Sequence, residues 1–270
     1  MSAVFTPEYR QQVLDLLLAH LEYDRHLAGA IIVGSGAQGF SDEHSDIDIV
    51  IVVATEADRA AAWQRSRPLL LGLLEPWDVT EIPSTYGLVL LLPGYLEVDL
   101  GFTLIDELAA QWPRWRVAFD RTHRLETIMQ TSWQARPVFT PDQLLADRLD
   151  CVWHRIIRCV VALKRGQPWW AMRELDILRS RAIELCCLRA GLETDGLRAA
   201  GSLPAEVQQA LARTLPADPG PASVARALRA AVTLFFEAAQ ELEGTDRGEA
   251  ARLGKLMAGY LAAADPPYLD

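Results

Sequence analysis

Short apolar runs separated by polar turns dominate the first half of the chain. Ala30–Val33 and Ile47–Ala54 are rich in branched apolar residues, which favours strands. Leu88–Leu92 and Tyr95–Phe102 flank Pro93-Gly94, which predicts a hairpin with its turn at those two residues. The other elements predicted in this half are a helix beginning at Thr6-Pro7 and running to about residue 21, a helix over 56–74 and a short strand over 79–82.

The second half of the chain has helical periodicity. A stripe of apolar residues predicts one helix from Pro141 to about Lys164: Leu145, Leu149, Val152, Ile156, Val160 and Leu163. Further helices are predicted over 168–191, 205–215, 223–243 and 247–263. Residues 134–140 are predicted to connect two domains, 1–139 and 140–270. The expected class is α+β, with a mixed sheet and flanking helices followed by a C-terminal α-helical bundle.

Three aspartates carry the candidate chemistry. Asp46 and Asp48 lie two residues apart at the start of a predicted strand, so both carboxylates project from one face. Like charges held so close repel, and divalent cations make such a pair tolerable. Gly34-Ser35 follows an earlier strand and can offer backbone N–H groups and a hydroxyl to phosphate oxygens. This combination predicts metal-assisted transfer at a phosphorus centre.

The third carboxylate, Asp99, lies in the later apolar strand. Glu97 shares its face, whereas Leu96, Val98 and Leu100 share the other. If Asp99 faces the first pair across the sheet, Glu97 lies beside the same site. Glu97 is otherwise a solvated residue at a strand edge, and both readings stay open.

Charge and composition narrow the partners. The 270 residues carry a formal net charge of −10, which disfavours a nucleic-acid polymer and would attract a cationic small molecule. The four cysteines form no CxxC pair, which argues against zinc, and we expect them to be small buried residues in a reducing cytoplasm. The sequence contains no apolar run of about 18 residues, so no membrane-spanning segment is predicted. The expected oligomeric state is a monomer or a homodimer.

The segment Gly34-Ser35-x3-Gly39-x5-Ser45-Asp46-Ile47-Asp48 resembles the signature of the polymerase-β-type nucleotidyltransferase superfamily. Within that superfamily the chain is most similar to antibiotic adenylyltransferases of the aminoglycoside and lincosamide types. The resemblance extends to about residue 191. This chain differs from the family pattern directly after Gly-Ser. It has Gly36-Ala37-Gln38 where many relatives carry an arginine or a larger residue. The resemblance implies a nucleotidyltransferase-type sheet domain at the N-terminus.

The resemblance also implies a reaction, the transfer of AMP from ATP to a hydroxyl of a small molecule with release of pyrophosphate. Asp46, Asp48 and Asp99 would hold two Mg²⁺ ions, and Asp99 or Glu97 would accept the hydroxyl proton. The residues expected to bind the nucleotide are Gly34, Ser35, Gly39, Ser45 and, from the helical half, Lys164. Lys164 is alternatively a lysine near a helix C-terminus with its charge in water.

The acceptor is expected to bind the helical domain. Trp169, Arg173 and Asp176 lie opposite the apolar stripe of their predicted helix, as an acceptor-binding face would. The same face could simply pack on another helix. An aminoglycoside or lincosamide antibiotic is the expected acceptor. The alternative function is a regulator of the minimal-nucleotidyltransferase (antitoxin) type, which adenylylates or binds a protein partner.

Overall fold

A mixed β-sheet is the centre of the first half of the computed structural model, which describes residues 4–40, 42–137, 140–242 and 248–264. In these ranges the sheet has six strands: β1 Gly29–Val33, β2 Ile47–Val53, β3 Asp78–Ile82, β4 Gly87–Leu92, β5 Leu96–Leu104 and β6 Trp115–Asp120. Their spatial order is β3-β4-β5-β2-β1-β6. β2 and β5 run parallel, and the other neighbours are antiparallel. The strands predicted from the apolar runs and the hairpin at Pro93-Gly94 are confirmed.

Each face of the sheet is covered differently. Helices α1 Pro7–Tyr23 and α2 Glu56–Leu74 share a core with Ile47, Ile49 and Ile51 on one face. Helix α3 Leu125–Ala135 packs on the opposite face, where Val52 is buried. Because residues two apart on a strand share a face, Asp48 lies on the side that carries α3.

The structure adds two elements that the apolar pattern did not predict, β6 and α3. β6 is a partly buried edge strand, and its register with β1 shifts between Ala30 and Ile31, so its alternation is irregular. α3 has no capping side chain at its own N-cap position. Instead, Asp120 at the end of β6 accepts a hydrogen bond from the Leu125 amide at 2.8 Å, which satisfies one of the free N–H groups of the helix.

The second half of the described chain is helical: α4 Pro141–Leu149, α5 Val152–Lys164, α6 Pro168–Arg189, α7 Ala205–Arg213, α8 Pro221–Leu242 and α9 Gly248–Ala263. These helices share one apolar core, in which Leu178 of α6 and Phe235 of α8 are completely buried. Proline at the first position starts α4, α6 and α8, as its fixed φ and missing N–H allow.

The single helix predicted from Pro141 to Lys164 is wrong, because the chain breaks it at Cys151, whose φ is +52°. The break is stabilised from α6: Arg181 donates hydrogen bonds to the carbonyls of Arg148 and Asp150 at 3.2 and 2.9 Å. An apolar stripe continues through such a break, so periodicity could not reveal it. Cys151 is consequently exposed, whereas the other three cysteines are buried as expected.

The chain divides into two compact units, Met1–Pro137 and Val138–Asp270. The first holds the sheet with its flanking helices and the second holds α4 to α9, so the predicted α+β class is confirmed. The assignment of catalysis to residues 1–139 and of acceptor binding to 140–270 stays a prediction. Within the described ranges no helix has the length and apolarity needed to cross a membrane.

Candidate active site

The turn after β1 packs directly against Asp48. Gly34–Gln38 forms a short 3₁₀ turn, and Gly34 has φ +66°, in the region that glycine adopts without strain. A Cβ at Gly34 would lie 2.9 Å from Oδ2 of Asp48, closer than real contacts allow. The backbone of Gly34 therefore lies against the Asp48 carboxylate, and a side chain at this position would force the turn or the carboxylate to move.

Asp48 and Asp99 are neighbours across the parallel pair of strands. Their Cα atoms are register partners, Asp48 on β2 and Asp99 on β5, so their side chains share a face. Asp46 immediately precedes β2, and Glu97 lies two residues before Asp99. Asp48 and Asp99 are half-buried, whereas Asp46 and Glu97 are exposed. The structure thus places all four predicted carboxylates at one end of these two strands.

Asp99 has an unusual environment for a carboxylate. Burial raises its pKa, and the charges of Glu97 and Asp46 raise it further. Its Oδ1 is buried and has no hydrogen-bond partner among the described residues. An unsatisfied buried carboxylate oxygen is costly, and a cation or a donating hydroxyl would relieve that cost.

The predicted metal ligands do not form a closed coordination sphere. In the described part of the chain, no three His, Cys, Asp or Glu side chains are gathered closely enough to hold one ion. The donor set still fits Mg²⁺, because it consists of carboxylate oxygens and includes the unsatisfied Oδ1 of Asp99. Metal binding by Asp46, Asp48 and Asp99 stays a prediction.

Two predicted nucleotide-binding residues, Ser45 and Gly39, lie between the 3₁₀ turn and β2. The Ser45 hydroxyl donates to Asp42 at 3.0 Å, and the Ser45 carbonyl accepts from Arg10 at 2.8 Å. Gly39 ends the 3₁₀ turn with φ +92°, and an added Cβ would meet no described atom within 4 Å. These contacts shape the loop between the turn and β2, and nucleotide binding by Ser45 and Gly39 stays a prediction.

Arg10 is a residue of this region that the sequence reasoning missed. It is 3% exposed, and besides the Ser45 carbonyl its guanidinium donates to the Asp42 carbonyl at 3.0 Å. Its guanidinium also stacks over the ring of Phe40 at 3.9 Å. An arginine on the buried face of α1, among Val13 and Leu14, was the available signal. Arg10 anchors the loop that leads into Asp46.

The residues predicted in the helical unit lie on its surface. Trp169, Arg173 and Asp176 follow at helical spacing along α6, and all three are exposed. Asp176 pairs with Arg179, and Arg173 lies 3.8 Å from the carboxylate of Glu174. Lys164 is the exposed last residue of α5. Trp169, Arg173 and Asp176 therefore share one face of α6.

A buried carboxylate in the same unit was also missed. Glu174 is completely buried, accepts a hydrogen bond from Arg155 and another from Trp170, both at 3.0 Å, and has Arg158 at 4.0 Å. Burial raises the pKa of Glu174, but these hydrogen bonds and charges outweigh it and hold the pKa below its usual range. A glutamate next to Leu175 in the apolar stripe was the signal for this cluster.

This chain is similar in structure to several solved proteins. An aminoglycoside 6-adenyltransferase from Bacillus subtilis has a TM-score of 0.42 at 13% identity, over 93% of this chain and 97% of that one. A nucleotidyltransferase-like protein from Exiguobacterium sibiricum has a TM-score of 0.36 at 14% identity, over 94% and 90%. A CdnC:HORMA complex from Escherichia coli MS115-1 has a TM-score of 0.28 at 15% identity, over 94% and 90%.

No family model and no curated protein matches the chain. The TM-scores of these three structures do not exceed 0.42 and their identities do not exceed 15%, so none of them indicates the chemistry of this chain.

Proposed function

We propose that this protein is a Mg²⁺-dependent adenylyltransferase that moves AMP from ATP to a hydroxyl of a small molecule and releases pyrophosphate. The observation that carries the proposal is the packing of the Gly34 turn on Asp48, with Asp48 in register with Asp99. A phosphate-binding turn and carboxylates on one sheet face are the parts that phosphoryl transfer needs.

The nucleotide would bind through the turn and the carboxylates. Backbone N–H groups of Gly34 and Ser35, with the Ser35 hydroxyl, bind the β- and γ-phosphates, as nests of amides do for anions. Asp46, Asp48 and Asp99 would hold the Mg²⁺ ions, two in number. Bound Mg²⁺ would neutralise phosphate charge and make the α-phosphorus a better electrophile.

Asp99 is the proposed base. The acceptor oxygen forms a bond to the α-phosphorus, and the bond from that phosphorus to the oxygen bridging to the β-phosphate breaks. Pyrophosphate leaves with the electron pair, and the hydroxyl proton passes to the Asp99 carboxylate. The position of Asp99 in register with Asp48, with an Oδ1 that has no partner among the described residues, supports this role. Glu97, exposed on the same face, is the second candidate base.

The acceptor class that we propose is an aminoglycoside or lincosamide antibiotic. Trp169, Arg173 and Asp176 are the proposed acceptor contacts, and Lys164 is the proposed triphosphate contact. Exposure of all four side chains supports these roles, since each is accessible to a ligand. A protein of this activity would act in the cytoplasm, where ATP is available.

The test is pyrophosphate release from ATP and Mg²⁺ across a panel of aminoglycosides and lincosamides, with Asp48→Asn as the matched control. We expect release that depends on one acceptor class and is lost in Asp48→Asn. Nucleotide binding without release for any acceptor would point to the alternative, a regulator that modifies or binds a protein partner. Release that persists in Asp48→Asn would refute the assigned site.

A further inference from the structure

We propose that a cavity on the sheet face beside the carboxylates binds the apolar body of the acceptor, so that the acceptor is an amphipathic alcohol rather than a polycation. This inference rests on the function proposed above and specifies the substrate class. The cavity measures about 490 Å³, within the range typical of small-molecule sites.

The floor of the cavity continues the carboxylate pair along the same two strands. Asp48 pairs with Asp99, and two residues further on Val50 pairs with Gly101. Residues two apart on a strand share a face and lie roughly 6–7 Å apart. Val50 and Gly101 line the cavity. A ligand whose hydroxyl lies at Asp99 therefore extends directly over this floor.

Gly101 keeps the floor open. It lies inside β5, where glycine weakens a strand but permits close approach of a ligand to the backbone. A Cβ built there would meet no described atom within 4 Å, so the space above it is empty of protein. Its φ lies outside the left-handed region, so a larger residue is tolerated by the backbone. Position 101 therefore controls the depth of the cavity.

The walls are mainly apolar. Besides the floor, the cavity is lined by the end of β1, the segment after β5 and α3, through Val33, Leu108, Trp112 and Met129. Its charged lining residues, Arg59 and Glu107, pair with each other at 2.8 Å. Arg59 also pairs with Glu56, so the one cationic residue of this lining is already held by two carboxylates.

The apolar part of this lining disfavours a polycation. An ammonium group placed against Val50, Leu108 or Met129 loses hydration, which is costly. An apolar ligand body instead gains by removing its own surface and that of the walls from water. The lining also disfavours the triphosphate, because Arg59, the one cationic residue in it among the described residues, is held by Glu56 and Glu107.

The first experiment measures binding of Nile red, an uncharged dye that fluoresces in apolar surroundings, to the full chain. We expect Gly101→Leu to weaken dye binding by about tenfold, as expected for lost apolar contact. The matched control is Gly72→Leu, the same change at an exposed helix glycine whose Cβ also meets no described atom within 4 Å. Equal dye binding by both variants would overturn the assignment of the cavity.

The second experiment asks what displaces the dye. We expect displacement by at least one of lincomycin, clindamycin and chloramphenicol, which carry hydroxyls on largely apolar bodies. We expect none by streptomycin or by Mg²⁺ with α,β-methylene-ATP. Displacement by streptomycin or the nucleotide analogue, or by none of the three alcohols, would overturn the inference. Failure of the proposed function instead appears as loss of Mg²⁺-dependent nucleotide binding, which the dye assay does not measure.

Discussion

Asp48 on β2 and Asp99 on β5 are register partners across the one parallel pair of strands found in the described sheet. Parallel partners have the same orientation, so the two carboxylates project to the same side. The Gly34 turn closes on Asp48 from the end of β1, and Asp46 and Glu97 bring further negative charge to Asp99. This arrangement concentrates charge at one end of the sheet at a cost in stability.

Replacing the glycine at the turn should strongly reduce activity. In Gly34→Ala, the added carbon would approach Oδ2 of Asp48 to 2.9 Å, so the turn or the carboxylate has to move. We expect about a 100-fold loss of pyrophosphate release, as for a misplacement of about 1 Å. The left-handed backbone should cost a further ~1–2 kcal/mol of unfolding free energy.

The matched control for this change is Gly191→Ala. Gly191 also has a positive φ, but a Cβ there would meet no described atom within 4 Å. It should lose similar stability in chemical denaturation and keep most of its activity. Equal losses of activity in the two variants would mean that backbone strain, rather than contact with Asp48, explains the first result.

Neutralising Asp99 should stabilise the unliganded protein. Asp99→Asn removes a half-buried charge that burial, Glu97 and Asp46 all disfavour. Like-charge neighbours on a sheet cost about 0.2–1 kcal/mol each, so we expect the melting temperature at pH 7 to rise by roughly 1–4 °C. Activity should be lost in the same variant. Glu97→Gln is measured alongside. A melting temperature of Asp99→Asn below that of wild type would contradict the conclusion that burial and the neighbouring carboxylates disfavour the Asp99 charge.

Glu174 should make the helical unit sensitive to acid. Its pKa is lower in the folded chain than in the unfolded chain, so its stabilisation is fully present above the unfolded pKa. The stabilisation disappears as pH falls through the folded pKa. We expect Glu174→Gln to lose about 1–3 kcal/mol of unfolding free energy at pH 7, and the difference from wild type to vanish in strong acid.

Urea denaturation at a series of pH values, with Asp176→Asn as control, checks this prediction. The exposed pair of Asp176 with Arg179 should be worth under about 1 kcal/mol. A Glu174→Gln defect that stays constant down to pH 2 would show that the carboxylate charge is not the cause.

Arg10 should act as a positioning residue for the loop before β2. Arg10→Met removes the donors to the Asp42 and Ser45 carbonyls. We expect the unfolding free energy to fall by about 2–3 kcal/mol and kcat to be lower. Arg10→Lys keeps one charged donor and should recover part of kcat. Equal kcat values for the two variants, after correction for folded fraction, would reduce Arg10 to a purely structural role.

The sequence predicted the strands around the site because their runs of branched apolar residues reflect burial in the sheet. It also predicted that Asp46 and Asp48 would share a face, since that follows from a period of two, but whether Asp99 faces them depends on the pairing of β2 with β5. It could not predict the helix break at Cys151, which depends on hydrogen bonds from Arg181, thirty residues away in sequence. Arg10, Glu174 and the cavity over Gly101 likewise depend on contacts between distant segments.

The proposed function requires that the Gly34 turn and the three aspartates bind a nucleoside triphosphate with Mg²⁺. Calorimetric titration of wild type and Asp48→Asn with α,β-methylene-ATP, with and without Mg²⁺, measures this binding. We expect Mg²⁺-dependent binding to wild type and at least about a tenfold weaker binding to Asp48→Asn. Absence of binding to wild type, or equal binding by the two proteins, would contradict it.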